Sequence, residues 1–107
     1  MTHELLIDML ESVSLESGGV TLLAQAGTVI LHDATKNWVT NRYTGCTARI
    51  IGGKGCGQRV RITGNGHDTL TVTPAWLEGL DETSRYIIHQ VEVARQVDDI
   101  LQQVQSV

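Results

Sequence analysis

The residues of this chain that could do chemistry fall into a few groups, and the glycine-rich run is the first to test. Gly52-Gly53-Lys54-Gly55-Cys56-Gly57 has the composition of a phosphate cradle, in which backbone N–H groups and a lysine gather around an anion. Such a cradle must open a helix through Gly-Lys-Ser/Thr. Here the glycines lead into Gln58-Arg59-Val60-Arg61-Ile62, which alternates like a strand, so the run is read as a hairpin turn. His3, His32, His67 and His89 are scattered, with no ligand pair at i+2 or i+4 and no cysteine at zinc-like spacing, so no metal site and no cofactor is expected. Cys46, Ser14 and Ser84 are potential nucleophiles without a local signature for activation. The carboxylates Asp33, Asp68, Glu78, Asp81 and Glu82 sit at turn or loop positions, where they read as turn formers and caps rather than an acid–base pair. Asp33, followed by Thr35 and Asn37, suits a loop closed by hydrogen bonds to its own backbone. No catalytic residue is assigned, and the chain is not expected to be an enzyme.

Two further groups could bind rather than react. Arg49, Arg59 and Arg61, at alternate positions of adjacent strands, would make a positive stripe that Lys54 and Arg42 could extend. Those strands lack aromatic residues for base stacking, and the formal net charge is -4. The stripe is therefore expected to be a polar contact face, and nucleic acid is not expected as a partner. Trp38 and Trp76, with Tyr43 and Tyr86, could stack on a sugar ring, but in a chain this poor in aromatics they are expected to cap the ends of the core.

The elements that must position these residues follow from periodicity. Leu5, Leu6, Met9, Leu10 and Val13 lie on one stripe at helical spacing, which predicts an amphipathic helix within residues 1–17, ended by Ser17-Gly18-Gly19. From Val20 the chain turns to short β-branched runs, and strands are predicted over Val20–Ala24, Thr28–His32, Tyr43–Ile51, Gln58–Thr63, Thr69–Thr73 and Arg85–His89. Spacing this close leaves no room for crossover helices, so residues 20–89 are expected to form a small antiparallel barrel, meander or sandwich. Ala48, Ile50, Val60, Ile62, Leu70 and Val72 should face inward, with Arg49, Arg59 and Arg61 outward. Gly64-Asn65-Gly66 suits a tight hairpin. Residues 75–83 read as a polar loop or a single helical turn anchored by Trp76. From Gln90 to Val107 there is no Gly or Pro, and Val93, Val97, Ile100, Val104 and Val107 recur at a spacing of 4, 3, 4, 3. This predicts a terminal helix whose β-branched seam favours three or more strands, with packing on its own domain as the alternative.

A chain of 107 residues, 41% hydrophobic and 19% charged, allows one compact domain, built mainly from Val, Ile and Leu because aromatics are 4% and Phe is absent. No apolar run approaches the roughly 20 residues of a membrane span. The N-terminus lacks a basic region ahead of its apolar residues, so a signal peptide is not expected and folding in a cytoplasm is, with Cys46 and Cys56 as thiols.

One set of motifs goes further. Leu31-His32-Asp33-Ala34-Thr35-Lys36-Asn37-Trp38 is followed by Asn41-Arg42-Tyr43-Thr44-Gly45 before a strand, then by Gly53-Lys54-Gly55-Cys56-Gly57-Gln58, Gly64-Asn65, Leu70-Thr71-Val72-Thr73-Pro74-Ala75-Trp76 and Asp81-Glu82-Thr83-Ser84-Arg85-Tyr86. In order and spacing, Gly27 to Ile88 resembles a β module recurrent in structural proteins of tailed bacteriophages, departing from it at Cys46 and Cys56. The resemblance implies a non-enzymatic virion component of tail, fibre, neck or capsid surface, made in the host cytoplasm and partnered by other virion proteins. Self-assembly as a trimer or higher homo-oligomer is expected through Val93, Val97, Ile100 and Val104, then Leu6, Met9 and Leu10. The alternatives are an adhesion module that binds a host-surface glycan through Trp38 and Trp76, and a small nucleic-acid-binding barrel.

Overall fold

The computed structural model describes residues 14–91 and 94–105. Six strands, β1 (Glu16–Gly19), β2 (Ile30–His32), β3 (Thr47–Gly52), β4 (Arg59–Asn65), β5 (Thr69–Thr73) and β6 (Arg85–His89), form one antiparallel sheet, followed by helix α1 (Ala94–Gln105). Their order across the sheet is β1-β6-β3-β4-β5-β2. The domain is thus mainly β, a curved half-barrel rather than a closed barrel or a sandwich. Neighbours in sequence pair through tight turns only from β3 to β5. β6 returns to the far side of β3, and β1 and β2 occupy opposite edges, so the topology is not a simple meander.

Alternation placed the core correctly. Ala48, Ile50, Val60, Ile62, Leu70 and Val72 all enter one apolar cluster with Leu31, Leu80, Tyr86 and Ile88. The two Trp and two Tyr are also buried in this cluster. Trp38 meets Tyr43 and Tyr86 edge-on, with ring centroids 5.7 and 6.5 Å apart, which sets the ring edges against the π faces. β6 is buried along most of its length because both faces are covered: Tyr86 and Ile88 point into this core, while Ile87 packs with Val97 and Ile100 of α1.

Several boundaries differ from the sequence expectation. The predicted helix over 1–17, with Leu6, Met9 and Leu10, falls largely outside the described residues. Its end is corrected, because Glu16 to Gly19 form an edge strand on β6. Gly18 serves close approach, not helix termination: a Cβ on it would lie 2.5 Å from Asp33 Oδ2 and 2.9 Å from the Tyr86 hydroxyl. Val20–Ala24 is not a strand but a link with one bridge, Ala24 to Leu80, and Leu22 and Leu23 face outward. β3 starts at Thr47, later than predicted, because Asn41 and Gly45 take positive φ and turn the chain before it. β5 and β6 coincide with the predicted spans.

Candidate functional site

The chemistry-bearing residues gather at three places, and the first is the gap between the two sheet edges. The loop from Asp33 to Trp38 crosses it. Asp33, fully buried, receives the Thr35 backbone N–H (3.1 Å) and hydroxyl (2.6 Å) on Oδ1, and the Tyr86 hydroxyl on Oδ2 at 2.7 Å. Lys36 donates from Nζ to Glu16 Oε1 (2.9 Å) and to the Ser17 carbonyl (2.7 Å), and Trp38 donates from Nε1 to Glu16 Oε2 at 3.1 Å. Thr21 donates its N–H to the His32 carbonyl and accepts that of Ala34. The Asp-Ala-Thr-Lys-x-Trp run is therefore a latch that ties β1 and β6 to the end of β2. Burial pushes the Glu16 carboxyl up, but the hydrogen bonds from Lys36, Trp38 and Ser17 outweigh it and hold it below the ordinary value. Burial and the Asp33 carboxyl push the Tyr86 phenol far above its usual range, so it remains a donor.

The second place is the glycine-rich turn between β3 and β4. Gly53, Gly55 and Gly57 have φ of 72°, 80° and 101°, the left-handed region that glycine enters freely. The turn is docked on the loop before β6. Lys54 donates its N–H to Thr83 Oγ1, and the buried Ser84 donates its hydroxyl to the Lys54 carbonyl at 2.6 Å. Gln58 joins the same loop from the other side, donating to the Gly55 and Glu78 carbonyls and accepting the N–H groups of Leu77 and Glu78. Asp81 is held low, first by the Thr83 hydroxyl and then by its backbone N–H. Asp68 is held low by the Thr69 hydroxyl, then by His32, whose Nε2 lies 3.0 Å away, with His67 at 3.4 Å. Asp81 is a turn former, as expected, whereas the Asp68 carboxylate bonds the Thr69 hydroxyl and His32 rather than turn backbone. Among the described residues no group of three or more His, Cys, Asp or Glu is arranged to hold a metal ion.

The third place is the outer face of the sheet, where one expectation is corrected. Arg59 and Arg61 are exposed, but Arg49 is only 8% exposed because α1 lies over it. Arg49 donates from Nε to His89 Nε2 (2.9 Å) and pairs through Nη2 with Asp98 Oδ1 (2.8 Å), while Arg59 lies 3.8 Å from Asp98 Oδ2. The three arginines thus do not form one open stripe. Val97 and Ile100 are likewise covered by this chain's own β6, so packing in cis, the alternative weighed for the helix, is what these two residues do. Val93 and the side chain of Val104 fall outside the described residues. Trp38 and Trp76 have no open face for a sugar: both are buried, and the Trp76 Nε1 donates to the Ile30 carbonyl at 2.9 Å.

Sequence reasoning missed the apolar surface that does stand open. Leu22 and Leu23, each 58% exposed, and Ile30, 39% exposed, border a groove of about 300 Å³ that also touches Ala24, Gln25 and His32. The signal was present in Leu22-Leu23, two adjacent leucines that cannot both face one core from an extended chain. Cys56 is exposed and Cys46 half-buried, both as thiols. Comparison with models of known protein families, with curated proteins and with solved structures finds no match.

Proposed function

We propose that this chain is a non-enzymatic structural component of a tailed-bacteriophage virion that acts by assembly with copies of itself and with other virion proteins. The observation that carries the reading is how the module's motif is used. Asp33, Thr35, Lys36 and Trp38, residues of the run on which the resemblance begins, are tied into a latch that joins β1 and β6 to the end of β2. A cross-tied half-barrel with exposed leucines is suited to contact. The contact surface this reading uses is the Leu22, Leu23 and Ile30 groove, since Val97 and Ile100 are already covered within the chain. Isolated leucines on a surface are ordinary, whereas an adjacent pair beside a concave apolar wall is the kind of patch interfaces cover.

The test is mass spectrometry of density-purified phage particles released by cells that express the chain. A fixed stoichiometry to the major capsid protein supports the proposal, and a chain abundant in the lysate yet absent from particles overturns it. Sedimentation tests the self-assembly part: Leu22→Asp with Leu23→Asp is expected to shift an oligomer to a monomer.

A further inference from the structure

The cluster beneath α1 has a feature that packing alone does not require: a fully buried histidine set between an arginine and a backbone carbonyl. Arg49 Nε carries a hydrogen and can only donate, so His89 Nε2, 2.9 Å away, must accept with a lone pair. The other ring nitrogen, Nδ1, lies 2.8 Å from the Gln90 carbonyl oxygen, which can only accept, so Nδ1 carries the proton. Both contacts hold together only for one neutral tautomer. A second proton would have to sit on Nε2, facing the N–H of a guanidinium. That puts two donors and two positive charges at hydrogen-bond distance.

Among the described residues, the charges around the ring come from β3, β4 and α1. Arg49 on β3 touches it and Arg59 on β4 adds positive charge, while Arg61 lies in the same register row beyond Thr47. Against these, α1 supplies Asp98, which pairs with Arg49 at 2.8 Å and lies 3.8 Å from Arg59. Asp98 is the helix's charged hold on the sheet, and Arg49 is its receptor. Whatever moves Arg49 therefore moves the anchor of α1.

We propose that helix α1 is held on the half-barrel by a proton-sensitive clasp, in which protonation of His89 displaces Arg49 from its bridge to Asp98 and releases the helix. Release would uncover Ile51 and Ile87 on the sheet and Val97 and Ile100 on the helix, the apolar contacts that now bury each other. The sign follows from linkage. Burial first, and then Arg49 and Arg59, lower the affinity of the docked His89 for a proton. Docking is thus at full strength above the ordinary histidine pKa of about 6.5 and weakens as pH falls below it, levelling off once the lowered value of the docked state is passed.

Amide exchange followed by NMR, corrected for the intrinsic pH dependence of exchange, tests the clasp on the whole chain. Protection of the Val97, Ile100 and Leu101 amides is expected to fall about tenfold or more between about pH 7.5 and pH 5, while that of Ile62 and Val72 in the opposite core holds. His89→Gln, whose amide can serve both the Arg49 and Gln90 contacts without titrating, should abolish the pH dependence. Asp98→Asn should lower α1 protection at both pH values. If His89→Gln does not fold, the wild type still decides, because the loss of α1 protection must share its midpoint with the His89 ring titration. Protection that is equal at both pH values, that falls equally in His89→Gln, or that follows the titration of His32 or His67 overturns the proposal.

Discussion

The chain makes the same turn twice. In Asp33-Ala34-Thr35-Lys36 and in Asp81-Glu82-Thr83-Ser84 the first carbonyl accepts the N–H of the fourth residue, at 3.2 and 2.9 Å. In each, the aspartate Oδ1 accepts both the backbone N–H and the hydroxyl of the threonine, at 3.1 and 2.6 Å in the first and 2.8 and 2.5 Å in the second. Local chemistry is nearly identical, yet the surroundings are not. Asp33 is buried and its second oxygen holds the Tyr86 hydroxyl across the half-barrel, whereas the Asp81 carboxylate lies at the surface and its turn joins the glycine-rich hairpin through Thr83 and Ser84 and the link before β2 through the Val20 N–H. A turn motif sets the path of the chain; its weight in stability depends on where the spare carboxylate oxygen lands.

The largest expected effect breaks the comparison at its heavier end. Asp33→Ala removes the three contacts to Thr35 and Tyr86 and strands a buried phenol, which should cost about 3 kcal/mol in urea denaturation. Tyr86→Phe removes only the bond across the barrel and should cost about 1–1.5 kcal/mol. The double variant then sharpens the point: if the spare oxygen carries the weight, the two losses must sum to more than the double loss, by roughly 1 kcal/mol. Strict additivity would mean that the two residues act separately.

How much of this was legible follows the range of each interaction. Both aspartates could be read as turn formers, because the partners are two and three residues away. Inward positions such as Ala48, Ile62 and Val72 could be read from alternation, a property of the strand itself. Tyr86, 53 positions from Asp33, could not be paired with it, and neither could Arg49 with His89, 40 positions on. The same limit misplaced Arg49, whose outward direction was right but whose cover comes from α1. Gly53 shows the mixture: its turn was evident, whereas the Thr83 carbonyl, 1.8 Å from where a Cβ would sit, was not.

A pH measurement probes the latch beside Asp33 at intermediate strength. Glu16 is held below its ordinary value of 4.5, because its bonds to Lys36, Trp38 and Ser17 outweigh burial. Its contribution is therefore complete above that value and is lost as pH falls through the lowered one. The urea midpoint should decline on acidification below about pH 4.5, and Glu16→Gln should flatten that decline while lowering stability at neutral pH. An unchanged acid limb in the variant would assign the decline to other carboxylates.

The smallest effect is expected at the second turn, and it is the one that separates a local role from a global one. Asp81→Ala removes the same two threonine contacts as Asp33→Ala, but at a surface where water replaces them. Global stability should change by a small fraction of the Asp33→Ala loss. What should change is the hairpin, because Thr83, freed from Asp81, no longer presents its hydroxyl to the Lys54 N–H at a fixed 3.0 Å. Faster amide exchange at Lys54, with the β4 and β5 amides unaffected, is the expected pattern. A midpoint shift as large as that of Asp33→Ala would show that the turn, and not the buried oxygen, holds the half-barrel together.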